Sequence, residues 1–422
     1  MMNFIAVRCH KRFIFYLASW LGLTALGSPL AAASALEPCL PGLDLHRKGH
    51  CAIVRGMLLP DKLPPARGNA YGDSLAAAKL GFQVFFDPRF SRGGQMRCAS
   101  CHVPESAFSD RRQVAIGRAN QPLQRNSPTL LTAAWTRGNF FWDGRADSLW
   151  SQPLFAFENP AEMATTRLDL AHTISDQDLY HRLYVDAFGS LADLSDKSRF
   201  PASGRPGDKA FDGMAEGDKQ VINRIVANLG KALEAYMRKL ATGRSRLDRF
   251  LLGDSRALDK SALDGLATFV NVGCATCHSG PTLSDDRYYD MRVPSLPGAP
   301  PDVGRAGALP VLAANPFNQF GIFYDRLPSE SSPAAPGEVQ RPTLIDVEVA
   351  ADGVGKFRTQ TLRNISMTAP YGHNGYFASL GDLLAHHGAV RLSAQQSESI
   401  QIFLLSLRGI YPERPWNNWP SN

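Results

Sequence analysis

The sequence predicts a mostly α fold of two domains in tandem, joined and covered by long loops, and three observations predict it. The pentapeptide Cys98-Ala99-Ser100-Cys101-His102 recurs as Cys274-Ala275-Thr276-Cys277-His278, one copy in each half of the 422-residue chain. Apolar residues repeat with helical period ahead of each copy, at residues 76–86 and 262–270, as a diverged internal duplication would leave them. Neither copy follows a strand run, so short sheet or none is expected.

The pentapeptide carries the chemistry. Two thiols one helical turn apart lie on the same side of a turn, where they can form thioethers to the two vinyl edges of a haem, and the following His then sits under the iron. A zinc site would need its remaining ligands much nearer than the separation of Cys101 and Cys274, and a thioredoxin-like CxxC would need a βαβ setting. The chain therefore reads as a di-haem cytochrome with two covalent haem c groups, His102 and His278 being the proximal ligands. Its two domains are cytochrome c-like.

In chain order, Arg8, Lys11 and Arg12 precede an apolar run at 13–26 and small residues up to Ala35, the pattern of a secretory signal peptide. The expected division is a signal at 1–35, a first haem domain at 36–210 and a second at 211–422, in a periplasmic protein. Cys9 leaves with the signal, and Cys39 and Cys51 remain. They read either as a disulfide or, with His46 and His50 beside them, as a small metal site. The formal charge of +6 includes the export segment and supports no nucleic-acid partner.

Residues 73–86 read as a helix ended by Asp87-Pro88, and the polar stretch from 103 to 126 as a loop over a haem face. A helix over 166–188, a Gly-, Pro- and charge-rich boundary at 195–218 and a strong amphipathic helix at 221–240 follow. Residues 294–342 read as a lid or mobile insertion, and 379–387 and 393–407 as two closing helices.

From about residue 76 to residue 407 the chain resembles the bacterial di-haem cytochrome c peroxidases, including the protein-oxidising relative MauG. The resemblance rests on the two CxxCH motifs, Arg125-Asn126-Ser127-Pro128, Phe141-Trp142-Asp143-Gly144-Arg145-Ala146, and Leu362-Arg363-Asn364 with Thr368-Ala369-Pro370-Tyr371. It implies that Glu162 is the distal catalytic carboxylate, a base and acid for peroxide cleavage, with Gln152 a polar group of the same pocket. It implies that Trp142 lies between the haems as an electron relay, and that Asn126, Thr368 and Pro370 hold a calcium ion between the domains.

The resemblance also marks two departures. Where relatives carry a distal His after Ile-Gly, this chain has Ile116-Gly117-Arg118, and an Arg stays protonated and cannot ligate iron. The first haem is therefore expected to be open. Where relatives place Met or Tyr on the second haem, the position falls at His387, with His386 the alternative, which predicts a bis-His iron of lowered potential. The implied function is an exported peroxidase that reduces hydrogen peroxide with electrons from a small cytochrome or cupredoxin. The alternatives are MauG-like oxidation of a partner protein's Trp or Tyr, and a non-catalytic electron-transfer cytochrome.

Overall fold

The computed structural model describes residues 39–47, 49–326, 352–387 and 391–420. The predicted signal at 1–35 and the later part of the 294–342 segment lie outside the described residues. Among those described the chain is mostly helical, and the paired strands β1 (Tyr288–Tyr289) and β2 (Phe357–Arg358) are two residues each, in antiparallel register.

Helix α1 spans His50–Gly56 and α2 Leu75–Phe86. The α2 start is fixed by Ser74, whose side chain accepts from the Ala77 N–H, and Asp87 ends it in extended conformation ahead of Pro88, as the sequence predicts. Next come α3 (Gln152–Glu158), α4 (Arg167–Asp176) and α5 (Asp178–Phe188). The single helix expected over 166–188 is thus two, because Gln177 is extended; the Thr166–Asp169 capping box starts the first of them. Helix α6 is the short Lys209–Asp212, α7 runs Glu216–Lys239, α8 Arg246–Leu251 and α9 Lys260–Asn271. Helix α10 (Arg305–Ala314) lies inside the segment read as a lid or mobile insertion, and α11 (Leu380–His386) and α12 (Ala394–Leu405) close the fold.

Two large apolar clusters hold these elements. The first packs α2 against α7, with Gly81 so close to the Ala232 carbonyl that an added Cβ would stand 2.0 Å from its oxygen. The second packs α9 against α12 and takes in Val54 and Met57, at the end of α1 and just beyond it. The clusters therefore change hands between Leu240 and Leu247, beyond the boundary expected near residue 210, and α7 completes the first core. Burial of an apolar stripe decides which core a helix joins, and the stripe on α7 faces α2.

One further crossing was not legible. After α10, residues 315–326 return to the first core, where Phe317 and Phe323 are buried and the Lys231 ammonium meets Asp325 at 2.7 Å. In the second core Arg363 and Asp248 form a fully buried ion pair at 2.7 Å, and Arg363 also donates to the Met57 carbonyl.

Candidate haem-binding cavity and peroxide site

Each CxxCH stretch folds as one 3-10 turn, Cys98–Ser100 and Cys274–Thr276, with the His N–H closing onto the first Cys carbonyl at 2.9 and 3.1 Å. Helix α2 delivers the first turn and α9 the second. The imidazole Nδ1 atoms are held by carbonyls further along the chain: Phe108 O at 3.0 Å from His102 and Leu283 O at 3.1 Å from His278. A ring nitrogen tied to a backbone carbonyl fixes the tautomer and leaves Nε2 as the free ligand atom, which is how metal-bound histidines are usually oriented.

One cavity of about 1400 Å³ is lined by the four cysteines and the two histidines of the CxxCH motifs. A pocket for a single small ligand is roughly 300–1,000 Å³, so this space exceeds what one such ligand needs. Burial keeps the imidazoles neutral, lowering His102 and taking His278 down to about 4. Burial likewise pushes the Cys98 and Cys101 thiols up to about 12 and raises that of Cys274. Two free cysteine sulfurs at each end and two locked imidazoles around one apolar-walled space fit two covalently attached haems.

The face opposite each histidine differs. At the second, the His387 ring stands 6.0 Å from the His278 ring, centre to centre, at 82° between planes. Two imidazoles bound to one metal from opposite sides, each by a bond of about 2 Å, have centres roughly 6 Å apart. His386 is turned away, its Nε2 bonded to the Met291 carbonyl at 2.9 Å and its ring against Phe377. Of the two neighbours, His387 is the one that faces His278.

At the first, Glu162 lines the cavity, and its field reaches both Cys98 and Cys101. Burial raises its carboxyl above the usual range, opposed by the Arg145 guanidinium and by the Asn159 amide, which donates to it at 2.6 Å. Arg145 belongs to the stretch that contains Trp142, and its bearing on Glu162 is not legible in the sequence, because nothing in the spacing shows that 145 comes within electrostatic reach of 162. Its guanidinium lies 3.5 Å above the Phe141 ring and pairs with Asp143 at 3.0 Å. Gln152, the first residue of α3, lines the same cavity.

The Arg118 loop is pinned by its backbone. Its N–H donates to the Ala161 carbonyl at 2.9 Å, and Gly117 is pressed so closely on that carbonyl that a Cβ would stand 2.0 Å from the oxygen. Among the described residues Gly117 lines the cavity and Arg118 does not. The loop thereby positions Glu162 through its neighbour.

Trp142 lines the cavity, donates from Nε1 to the Asn126 carbonyl at 2.9 Å, and through its own carbonyl accepts from the Arg358 N–H at 2.7 Å. It therefore ties a turn of the first half to β2. Asn126, Thr368 and Pro370 line that cavity too, and the Asn126 N–H reaches the His373 carbonyl at 2.8 Å. The Asn126 amide nitrogen is engaged by the Arg112 carbonyl at 2.8 Å, which leaves its side-chain oxygen as the atom suited to a hard cation. His373 stacks on Phe357 at 3.7 Å and burial lowers it to about 4. Away from the cavity, Cys39 and Cys51 form a disulfide.

Residues 75–256 match the family model described as di-haem cytochrome c peroxidase. A cytochrome c551 peroxidase of Pseudomonas aeruginosa is 30% identical over 394 residues, covering 92% of this chain and 91% of that protein. The methylamine utilization protein MauG of Methylorubrum extorquens is 27% identical over 372 residues, covering 88% and 84%. Among solved structures, the diheme peroxidase BthA from Burkholderia thailandensis aligns with a TM-score of 0.59 at 20% identity, over 86% of this chain and 98% of that one, a likeness of fold.

Proposed function

The chain belongs to the di-haem cytochrome c peroxidase family, and from that premise we propose that it is an exported, periplasmic enzyme reducing hydrogen peroxide at the Cys98–His102 end of its cavity. Electrons arrive through the Cys274–His278 end, from a small cytochrome or cupredoxin, and pass by way of Trp142. The observation that carries this reading is Glu162, a carboxyl with raised affinity for its proton, facing the cavity beside Cys98 and Cys101.

Two haem c groups, attached at Cys98 and Cys101 and at Cys274 and Cys277, would supply the iron and the stored electrons. The protein supplies the proton handling. Glu162 takes a proton from the near oxygen of peroxide and returns it to the departing one, so that peroxide with two electrons and two protons leaves as two waters. The Arg145 guanidinium opposes the rise and so favours the ionised form that acts as the base, and Asn159 holds its oxygen in place. Gln152 completes the polar side of the pocket.

His387 is proposed as the second ligand opposite His278, and calcium as the ion held by Asn126, Thr368 and Pro370. We also propose two haem-bearing domains, the first extended past residue 210 to include α7, the second joined by α1. MauG-like oxidation of a partner protein is a second reading, favoured by Arg118 at the position where relatives carry His and by the likeness to MauG.

Mixing the ferric holoprotein with peroxide tests the proposal. Rapid peroxide loss and oxidation of a reduced small cytochrome are expected. Absence of any reaction with peroxide would overturn it, and a mass change in a partner protein with slow cytochrome oxidation would favour the second reading.

A further inference from the structure

The C-terminal residues 411–420 leave the second core and lie along the first. Tyr411 stacks on Phe108, the residue whose carbonyl holds His102, and Tyr411 also donates to the Pro104 carbonyl. Trp416 stands 5.7 Å from Phe82 and 6.3 Å from Tyr236, whose hydroxyl donates to the Trp416 carbonyl at 2.9 Å. Tyr236 is fully buried and within electrostatic reach of Cys98. Phe85 lines the cavity; from it a ladder of rings runs to Phe86 at 5.0 Å and from Phe86 to Trp419 at 4.9 Å.

Trp419 ends this ladder at the surface, 40% exposed. Packing of the tail accounts for Trp416. It does not account for the surroundings of Trp419, whose Nε1–H donates to the Glu105 carboxylate at 3.1 Å while the Arg97 guanidinium stands 5.3 Å above its ring. Arg97 also lines the cavity, next to Cys98. A cation over the ring opposes positive charge on it, so an electron can leave most easily when the indole proton leaves too, and Glu105 is there to take it.

We propose that Trp419 is a surface oxidation site served from the first end of the cavity, giving up electrons through Phe86 and Phe85 when peroxide is reduced without a donor. The proposal rests on the peroxide reading above. Two electrons and two protons leave Trp419, a water oxygen adds to the indole, and the electrons and protons reduce peroxide to two waters. The net change is one peroxide and one Trp giving one oxygenated Trp and one water. The inserted oxygen comes from solvent, whereas direct attack by peroxide would insert a peroxide oxygen.

The test treats the holoprotein, without oxygen gas or donor, with unlabelled peroxide in water carrying heavy oxygen, and maps the label by peptide mass spectrometry. Heavy oxygen on Trp419 is expected, reduced several-fold in Glu105→Gln and absent in Glu162→Gln. Trp419→Phe should retain donor-supported peroxide reduction. Unmodified Trp419 while peroxide is consumed, or Trp419 carrying only peroxide oxygen, would overturn the proposal and leave the peroxidase reading standing. Peroxide left unconsumed, with a reduced cytochrome also unoxidised, would sink that reading and this proposal together.

Discussion

At Cys98–His102 and at Cys274–His278 the backbone makes the same 3-10 turn, and a carbonyl a few residues on holds the imidazole, Phe108 in one case and Leu283 in the other. Beyond the ring the two ends part. One has the half-buried Glu162 carboxyl lining the cavity, under the field of Arg145 and bonded by Asn159; the other has the His387 imidazole at 6.0 Å from the His278 ring. The shared part suits covalent attachment, and on the proposed function the unshared part sets the chemistry: Glu162 would carry protons for bond cleavage, and His387 would close its iron to everything but electrons.

The largest expected effect comes from making the first end like a closed one. Glu162→Gln removes the proton carrier and should lower kcat/KM for peroxide by about 10²–10⁴-fold, measured by steady-state peroxide reduction. Because burial raises the Glu162 carboxyl, the base form grows as pH rises through that raised value. The wild-type rate should therefore climb with pH from above the usual carboxylate range, and the Gln variant should lose that limb.

The cores differ as well. In the second, burial would raise Asp248, but Arg363 overcomes it and holds the carboxyl below its usual value. The stability it contributes is present above the unfolded carboxyl value and is lost as pH falls through the lowered one. Asp248→Asn strands the Arg363 charge and should cost about 3–5 kcal/mol at neutral pH, seen as a fall in denaturant midpoint. Next in size is the Cys39–Cys51 disulfide, which ties Cys39 to the first turn of α1 across a sequence separation of 12. The double Ser variant should lose about 2–3 kcal/mol, with haem spectra unchanged, which would sharpen the assignment of α1 to the second core.

The smallest effect lies in the first core. Glu234 on α7 is pushed up to about 7 by burial, against the Asn69 amide and Arg238. A carboxyl raised in the folded state makes folding less favourable as pH rises from its unfolded value to its folded one. Glu234→Gln should thus gain about 1–2 kcal/mol at mildly alkaline pH and little in acid, a response opposite in sign to Asp248→Asn.

Much of this comparison was legible before any coordinates. The CxxCH turns are local, so sequence spacing alone shows them, and the helical periods at α2 and α9 mark where each turn is delivered. The partner of α7 was not legible, because an amphipathic stripe says that a face is buried without saying against what. The choice between His386 and His387 was equally closed, since adjacent residues differ only in direction, and direction depends on where α11 stops. Arg145 and the return of residues 315–326 to the first core depend on contacts between distant stretches, which single-chain patterning does not encode.

The central claim is that one end of the cavity is open above His102 and the other is closed by His387. Electron paramagnetic resonance of the ferric holoprotein tests it most directly: the account predicts one high-spin and one low-spin haem in equal amount, and two low-spin haems would contradict it.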